Sequence, residues 1–349
     1  MMKSNADNGR EVYIDILRII AVFFVIFTHT GNFGSKLYIM DEYIEKKPEL
    51  YFYILADVFR CINIPLFLMI SGTVMLHKRY SHRQVLKKSL RYAVITIIVS
   101  YVYYLWRGFS PVDLICFLRL LWSDEVFGLM WFMYAYIGLL LVTPALQKMV
   151  AEFEKADYIY FIILGIIVKS ILPLLSFIFG WNGFGIYIDL LTDMVFYPIA
   201  GAFLGHIENK EIKKKHMLLM AVICILSLVI NVGMVRIEYL RCGEYSEKYL
   251  FCMSTISSMA LFVIVRKICS QIEFTGVLKR ILNECGNCVF GTYLISMLVQ
   301  NNVFGIYWRA YKVAKEPLIA GYIYTFGVLV ICFVIVFLIR KIPFLRSLL

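Results

Sequence analysis

Apolar stretches of about twenty residues recur along this chain, from Val12 to Ile339, and they constrain its fold more than any other feature. A helix of that length crosses a hydrocarbon core of roughly 30 Å. The composition agrees, because 61% of the residues are hydrophobic and 17% are charged, whereas soluble domains average about one half apolar and about one quarter charged. The pattern predicts an all-α integral membrane protein, a bundle of about ten transmembrane helices that forms one domain over residues 1–349. The expected spans are residues 12–33, 51–76, 89–106, 128–147, 158–179, 184–206, 217–235, 249–268, 283–304 and 318–339.

The distribution of positive charge predicts the orientation of these spans. The net charge is +11, and 21 of the 35 Lys and Arg residues fall in segments that would face the cytoplasm, against 11 in the outer segments. The strongest cluster is KRYSHRQVLKKSLR, which follows the second span. This is the positive-inside pattern of membrane proteins rather than a nucleic-acid-binding surface. It predicts both termini in the cytoplasm, a short cytoplasmic segment 1–11, and an amphipathic helix at 111–122 on the outer surface.

Arg18 and His29 are ionisable residues within the first predicted span, where such residues are costly and usually functional. They lie eleven residues apart, about three helical turns, so they share one helix face and are separated by roughly 16 Å along the axis. Imidazole is the side chain best suited to take a proton from a hydroxyl near neutral pH. The alternative is that His29 bonds a neighbouring carbonyl while Arg18 reaches the lipid phosphates.

A second set of charges lies in the fifth and sixth predicted spans. Asp189 and Asp193 are four residues apart, which would place both carboxylates on one face of a helix, and Lys169 lies in the preceding span. Together they would complement the zwitterion of a free amino acid, although Lys169 and one Asp could simply neutralise each other. The nine cysteines include only one C-x-x-C pair, Cys285 and Cys288, and we expect no metal site.

Five segments resemble the conserved motifs of the acyltransferase-3 family, in the same order and with similar spacing. The first helix of that family carries an Arg and a His with ten residues between them, as Arg18 and His29 are here. The matching segments are YIDILRIIAVFFVIFTHT, NIPLFLMISGTVML, LMWFMYAYIGLLLVTP, FYPIAGAFLGH and CGNCVFGTYLIS. The resemblance extends over nearly the whole chain, and the ten predicted spans agree with it.

The resemblance implies an enzyme of the bacterial plasma membrane, embedded in lipid, that transfers an acyl group to a hydroxyl of a cell-envelope acceptor. The donor would be cytoplasmic acyl-coenzyme A, often acetyl-coenzyme A. By analogy His29 would act as the base or transient acyl acceptor, and Arg18 would hold the donor phosphate or thioester. Arg60 and Ser71 would complete the substrate pocket, with Tyr293 on the last motif also lining it.

The last motif departs from the family pattern, because it ends in Ser296 where many members have His. A Ser can form hydrogen bonds but does not shuttle protons at neutral pH. One branch of the family forms the membrane half of the vancomycin-resistance serine racemases (VanT), in which a fused cytoplasmic racemase domain follows the bundle. This resemblance implies the alternative function of L-serine transport in antibiotic resistance, with Lys169, Asp189 and Asp193 binding serine.

Overall fold

The computed structural model describes residues 11–39, 48–181, 188–208, 212–243 and 246–348. All regular secondary structure within these ranges is helical, which confirms the predicted all-α class. The α-helices are α1 (Val12–Thr28), α2 (Leu50–Arg60), α3 (Asn63–Met75), α4 (His82–Trp106), α5 (Leu114–Trp122), α6 (Trp131–Ala151), α7 (Lys155–Ile166), α8 (Leu172–Phe179), α9 (Asp193–His206), α10 (Lys214–Cys242), α11 (Ser254–Cys269), α12 (Gly276–Asn302), α13 (Gly305–Ala314), α14 (Pro317–Ile339) and α15 (Pro343–Leu348). A π-helical turn, Ile167–Ile171, joins α7 to α8.

Six helical segments in the described part of the chain are long and apolar enough to cross a membrane. They are Leu50–Met75, His82–Trp106, Trp131–Ala151, Lys155–Phe179, Lys214–Cys242 and Pro317–Ile339. A seventh would be the pair α12 and α13, which meet at an angle of 72°. The chain is therefore a multi-pass membrane protein, with fewer full-length spans than the ten predicted.

Three of the predicted spans contain shorter helices than the sequence indicates. Helices α1, α9 and α11 have 17, 14 and 16 residues, respectively. Helix α1 contacts α2, α3, α11, α12 and α14, so other helices rather than lipid surround it. A helix enclosed in this way need not match the full thickness of the hydrocarbon core, because protein covers its ends.

Local sequence signals explain where several helices begin. The Ser81 hydroxyl accepts a hydrogen bond from the backbone N–H of Gln84, and the backbone N–H of Ser81 donates one to the side-chain oxygen of Gln84; this capping box begins α4. Asp113 is the N-cap residue of α5, where its carboxylate accepts a hydrogen bond from the backbone N–H of Cys116. Helix α5 lies within the predicted amphipathic segment 111–122. One face of α5 buries Phe117, whereas Ile115 and Trp122 on the opposite face are exposed.

Helices α3 and α9 pack with their backbones in direct contact. A Cβ added to Gly72 would lie 1.8 Å from the carbonyl oxygen of Pro198, and one added to Gly201 would lie 2.0 Å from that of Met69. Small residues allow such close approach between membrane helices. Further along, Gly205 contacts Thr73, and the rings of His77 and His206 lie 4.1 Å apart, so the two helices run in parallel. Both begin at the same end of the bundle as His29, because Asn63 at the start of α3 bonds Thr28 at the end of α1.

Candidate functional site

A cavity of about 360 Å³ lies in the bundle between α1, α3, α4, α6 and α12. Among the predicted site residues, Arg18, His29, Ser71 and Tyr293 line it. The two residues of α1 occupy opposite ends, because the helix is continuous from Val12 to Thr28 and His29 follows directly. The predicted polar face of the first helix therefore lines a single internal cavity.

The Arg18 end of the cavity is rich in positive charge. The guanidinium of Arg18 lies 3.4 Å from the carboxylate of Asp15, which is fully buried against Gly286 on α12. Lys88 on α4 interacts electrostatically with Arg18 and with Arg91. Arg18 lines the cavity, and Lys88 lies outside the lining with Lys78 and Arg91 as charged neighbours, so this end favours a ligand that carries negative charge.

The His29 end contains polar groups on two helices, and Arg60, which lies outside the lining, interacts electrostatically with His29. The Asn63 side chain donates a hydrogen bond of 3.1 Å to Thr28, which fixes the start of α3 against the end of α1. Among the described residues, none forms a hydrogen bond with the His29 ring, which lines the cavity. The imidazole nitrogens are thus available to a molecule that enters this end.

Arg60 does not line this cavity, contrary to its predicted place in the substrate pocket. It is 5% exposed and forms an ion pair with Asp57, whose other carboxylate oxygen accepts a hydrogen bond from Tyr38. The reason is local, since Asp57 lies one turn before Arg60 on the same helix and captures its guanidinium. This cluster connects α2 to the segment that follows α1.

Tyr293 and Ser296 lie on the same helix, α12, but have different surroundings. Tyr293 lines the cavity and donates a hydrogen bond to the Leu129 carbonyl. Ser296 is fully buried and does not line the cavity. Its hydroxyl donates a hydrogen bond of 3.1 Å to the Tyr293 carbonyl oxygen. Ser296 therefore satisfies the backbone of its own helix instead of facing the cavity.

The predicted carboxylate pair is not formed. Asp189 begins a short 3-10 helix and is exposed, whereas Asp193 begins α9. Thr192 lies between them in an extended conformation, with ψ 154°, so the two residues do not share a helix face. Asp193 instead forms an ion pair of 2.5 Å with Lys169, as expected in the alternative in which these charges neutralise each other.

Several cavity residues were not predicted. Asn63 begins the segment NIPLFLMISGTVML. A polar Asn near a Pro at the start of an apolar run could have indicated a cavity residue. Tyr92 and Tyr136 face each other with ring centroids 5.1 Å apart, and Asn287 lines the cavity from α12. Tyr136 lies within the segment LMWFMYAYIGLLLVTP, whereas Tyr92 lies in none of the five matching segments; aromatic residues are common throughout membrane helices, so their type alone gave no signal.

The fold and the site define a multi-pass helical membrane protein with an internal cavity that is basic at one end and carries a histidine at the other. Comparison with protein families gives the class a name, because the acyltransferase domain of the acyltransferase-3 family matches residues 11–337. The chain therefore belongs to the acyltransferase-3 family. No curated protein and no solved structure matches it.

Proposed function

We propose that this protein transfers an acyl group from acyl-coenzyme A, such as acetyl-coenzyme A, to a hydroxyl group of a cell-envelope acceptor. The observation that carries the proposal is the single cavity with Arg18 at one end and His29 at the other. A long, thin donor fits such a shape, with its charged part at the basic end and its thioester near the histidine. The family membership supports acyl transfer as the reaction type.

Donor binding is assigned to the basic end. Arg18, Lys88 and Arg91 would bind the phosphate groups of coenzyme A, because guanidinium and ammonium groups form strong charge-assisted hydrogen bonds to phosphate. Ser71 and Tyr136 line the passage between the two ends, where the pantetheine arm would lie. Tyr293 contributes a ring to the wall of this passage.

His29 is assigned the role of general base. The acceptor hydroxyl oxygen attacks the thioester carbonyl carbon and forms the new C–O bond while the His29 ring takes the hydroxyl proton. The C–S bond then breaks, and the proton passes from the imidazolium to the departing thiolate, which gives free coenzyme A and the acylated acceptor. Neutral His29 is restored, so the step balances without any further reactant.

The proposal includes the orientation expected from the loop charges. Ten crossings in the bacterial plasma membrane, with both termini in the cytoplasm, would place the Arg18 end inside and the His29 end outside. Helices α1, α9 and α11 would complete the count as short, enclosed crossings. Cytoplasmic acyl-coenzyme A would then reach an acceptor on the outer side through the cavity.

L-serine transport, as a VanT-type membrane domain associated with a cytoplasmic racemase domain, is the second candidate. The observation in its favour is a separate cavity that contains the Lys169–Asp193 ion pair. The candidate is weakened because Asp189, the second predicted carboxylate, lies on a separate 3-10 helix and does not join this pair. Serine binding to the purified protein that Asp193→Asn abolishes would support this candidate over acyl transfer.

The test of acyl transfer uses the full chain in lipid nanodiscs and in membrane vesicles. Calorimetry measures acetyl-coenzyme A binding, and radiolabelled acetyl-coenzyme A supplied to vesicles from the expressing cells measures label transferred to envelope material. His29→Ala should reduce transfer by about 10²-fold or more with little change in binding, because it removes only the base. Arg18→Ala should weaken binding itself.

His82→Ala is the matched control, since His82 is exposed at the start of α4 and lies outside the cavity lining. It should bind and transfer as the wild type does. Transfer that persists in His29→Ala, or wild-type protein that does not bind acetyl-coenzyme A, would refute the proposal.

A further inference from the structure

A second cavity of about 350 Å³ lies beside the first, at the same end of the bundle as His29. Ile64, near the start of α3, lines both cavities and forms part of the wall between them. The lining also includes six charged or hydroxyl-bearing residues, Lys169, Asp193, Tyr197, Lys248, Ser254 and Thr255. A molecule that fills this second cavity is therefore close to the base that the proposed reaction needs.

The charges in this cavity are unequal. Among the described residues that line it, Lys169 and Lys248 are cationic, and Asp193 is the one carboxylate. Lys169 is paired with Asp193, whereas the Lys248 ammonium lies 4.9 Å from the ring of Tyr249. A hydrogen bond with that tyrosine raises the pKa of Lys248, so its positive charge is retained at neutral pH.

Polar groups continue the lining next to these charges. The hydroxyls of Tyr197 and Thr255 lie 2.9 Å apart, and Ser254 is adjacent in sequence. Helices α9 and α11 both begin at this cavity, at Asp193 and Ser254. The positive ends of two helix dipoles therefore add to the excess of ammonium groups, and both effects favour an anion.

The backbone around Lys169 is also unusual. Lys169 lies at the centre of the π-helical turn Ile167–Ile171, between α7 and α8. Single π-helical turns within α-helices occur frequently at functional sites, because the extra residue changes the direction of the side chains. Here the turn lies where Lys169 enters the cavity and meets Asp193.

We propose that the second cavity binds an anionic group, a carboxylate or a phosphate, of the hydroxyl-bearing acceptor. The role of the ligand as acyl acceptor rests on the proposed acyl transfer, whereas the anion site itself rests on the charges that line the cavity. In this arrangement Lys248 and Lys169 bind the anion, and the acceptor hydroxyl extends past Ile64 toward His29. Asp193 holds the Lys169 ammonium in the absence of ligand and competes with the anion for it.

The direction in which Asp193→Asn changes binding affinity distinguishes an anion site from an amino-acid site. Asp193→Asn removes the competing negative charge, so it should strengthen the binding of a simple anion. For a zwitterion such as serine, the same change removes the partner of the ammonium group and should weaken binding. Lys248→Gln and Lys169→Gln should each weaken anion binding by about tenfold or more, because each removes a charge-assisted contact.

The experiment is calorimetry on the full chain in nanodiscs of uncharged phosphatidylcholine, without acyl-coenzyme A. The probes are glycerate for a carboxylate, glycerol phosphate for a phosphate, glycerol as the neutral control, and L-serine as the zwitterion. We expect saturable binding of at least one of the two anions and none of glycerol. Lys214→Gln, an exposed lysine at the start of α10, is the control variant and should bind as the wild type does.

An unchanged far-ultraviolet circular dichroism spectrum and an unchanged thermal unfolding midpoint in each variant serve as the test that the bundle has folded. Equal binding of glycerol and glycerate, binding of neither anion, or anion binding unchanged in both folded lysine variants would overturn the inference. Serine binding that exceeds glycerate binding and is lost in Asp193→Asn would also overturn it. His29→Ala should bind the anion normally, so a failure of acyl transfer is measured separately from a failure of this site.

Discussion

Replacing Gly72 with Ala tests whether the close contact between α3 and α9 holds the bundle together. The new methyl group would lie 1.8 Å from the Pro198 carbonyl oxygen and 2.4 Å from its carbonyl carbon. An ordinary carbon to oxygen contact is about 3.3 Å, so the two helices would have to separate by roughly 1.5 Å. Neither obstructing atom belongs to a flexible side chain, and no rotamer change can relieve the clash.

The expected cost follows from overpacking and helix propensity. Overpacking typically costs about 1–3 kcal/mol, and a backbone clash lies near the upper limit, about 3 kcal/mol. Alanine regains about 1 kcal/mol over glycine within a helix, which leaves a net loss of about 2 kcal/mol for Gly72→Ala. The control Gly138→Ala, within α6, has no atom within 4 Å of its new methyl group and should gain about 1 kcal/mol.

The two alanine variants should therefore differ by about 3 kcal/mol in free energy of unfolding. The assay is unfolding in mixed micelles with increasing sodium dodecyl sulfate, followed by far-ultraviolet circular dichroism. Gly201→Ala, whose methyl group would lie 2.0 Å from the Met69 carbonyl oxygen, should behave like Gly72→Ala. Equal stability of Gly72→Ala and Gly138→Ala would refute the argument that the α3–α9 contact has no space for a methyl group.

Two further predictions concern single residues. Ser296→His, which restores the residue common in the family, should destabilise the protein by about 1–3 kcal/mol because Ser296 is fully buried; a rise in acetyl transfer without loss of stability would contradict this. A hydrogen bond from Lys36 holds the pKa of Glu247 below its usual 4.5. The pair should therefore stabilise the protein above that pH and lose this effect as the pH falls through the lower folded value, so wild type should lose more thermal stability than Glu247→Gln between about pH 6 and about pH 3.

The sequence predicted the parts of the site that lie on one continuous element. Arg18 and His29 share α1, so helical periodicity alone placed both on one face, and both line the first cavity. Asp189 and Asp193 show the limit of the same reasoning. Periodicity applies only within an unbroken helix, and the extended Thr192 between them separates the two carboxylates.

By itself, the sequence determined that this chain is a helical, multi-pass membrane protein of the acyltransferase-3 family, because hydropathy and motif order are properties of the linear chain. Only the tertiary structure decided that α1 is enclosed by other helices, that Arg60 faces Asp57, and that Lys169 and Asp193 belong to a second cavity. The physical reason is that buried and lipid-facing positions are both apolar in a membrane protein, so hydropathy does not distinguish them. The neighbours of each polar side chain are set by the packing of helices that are distant in sequence.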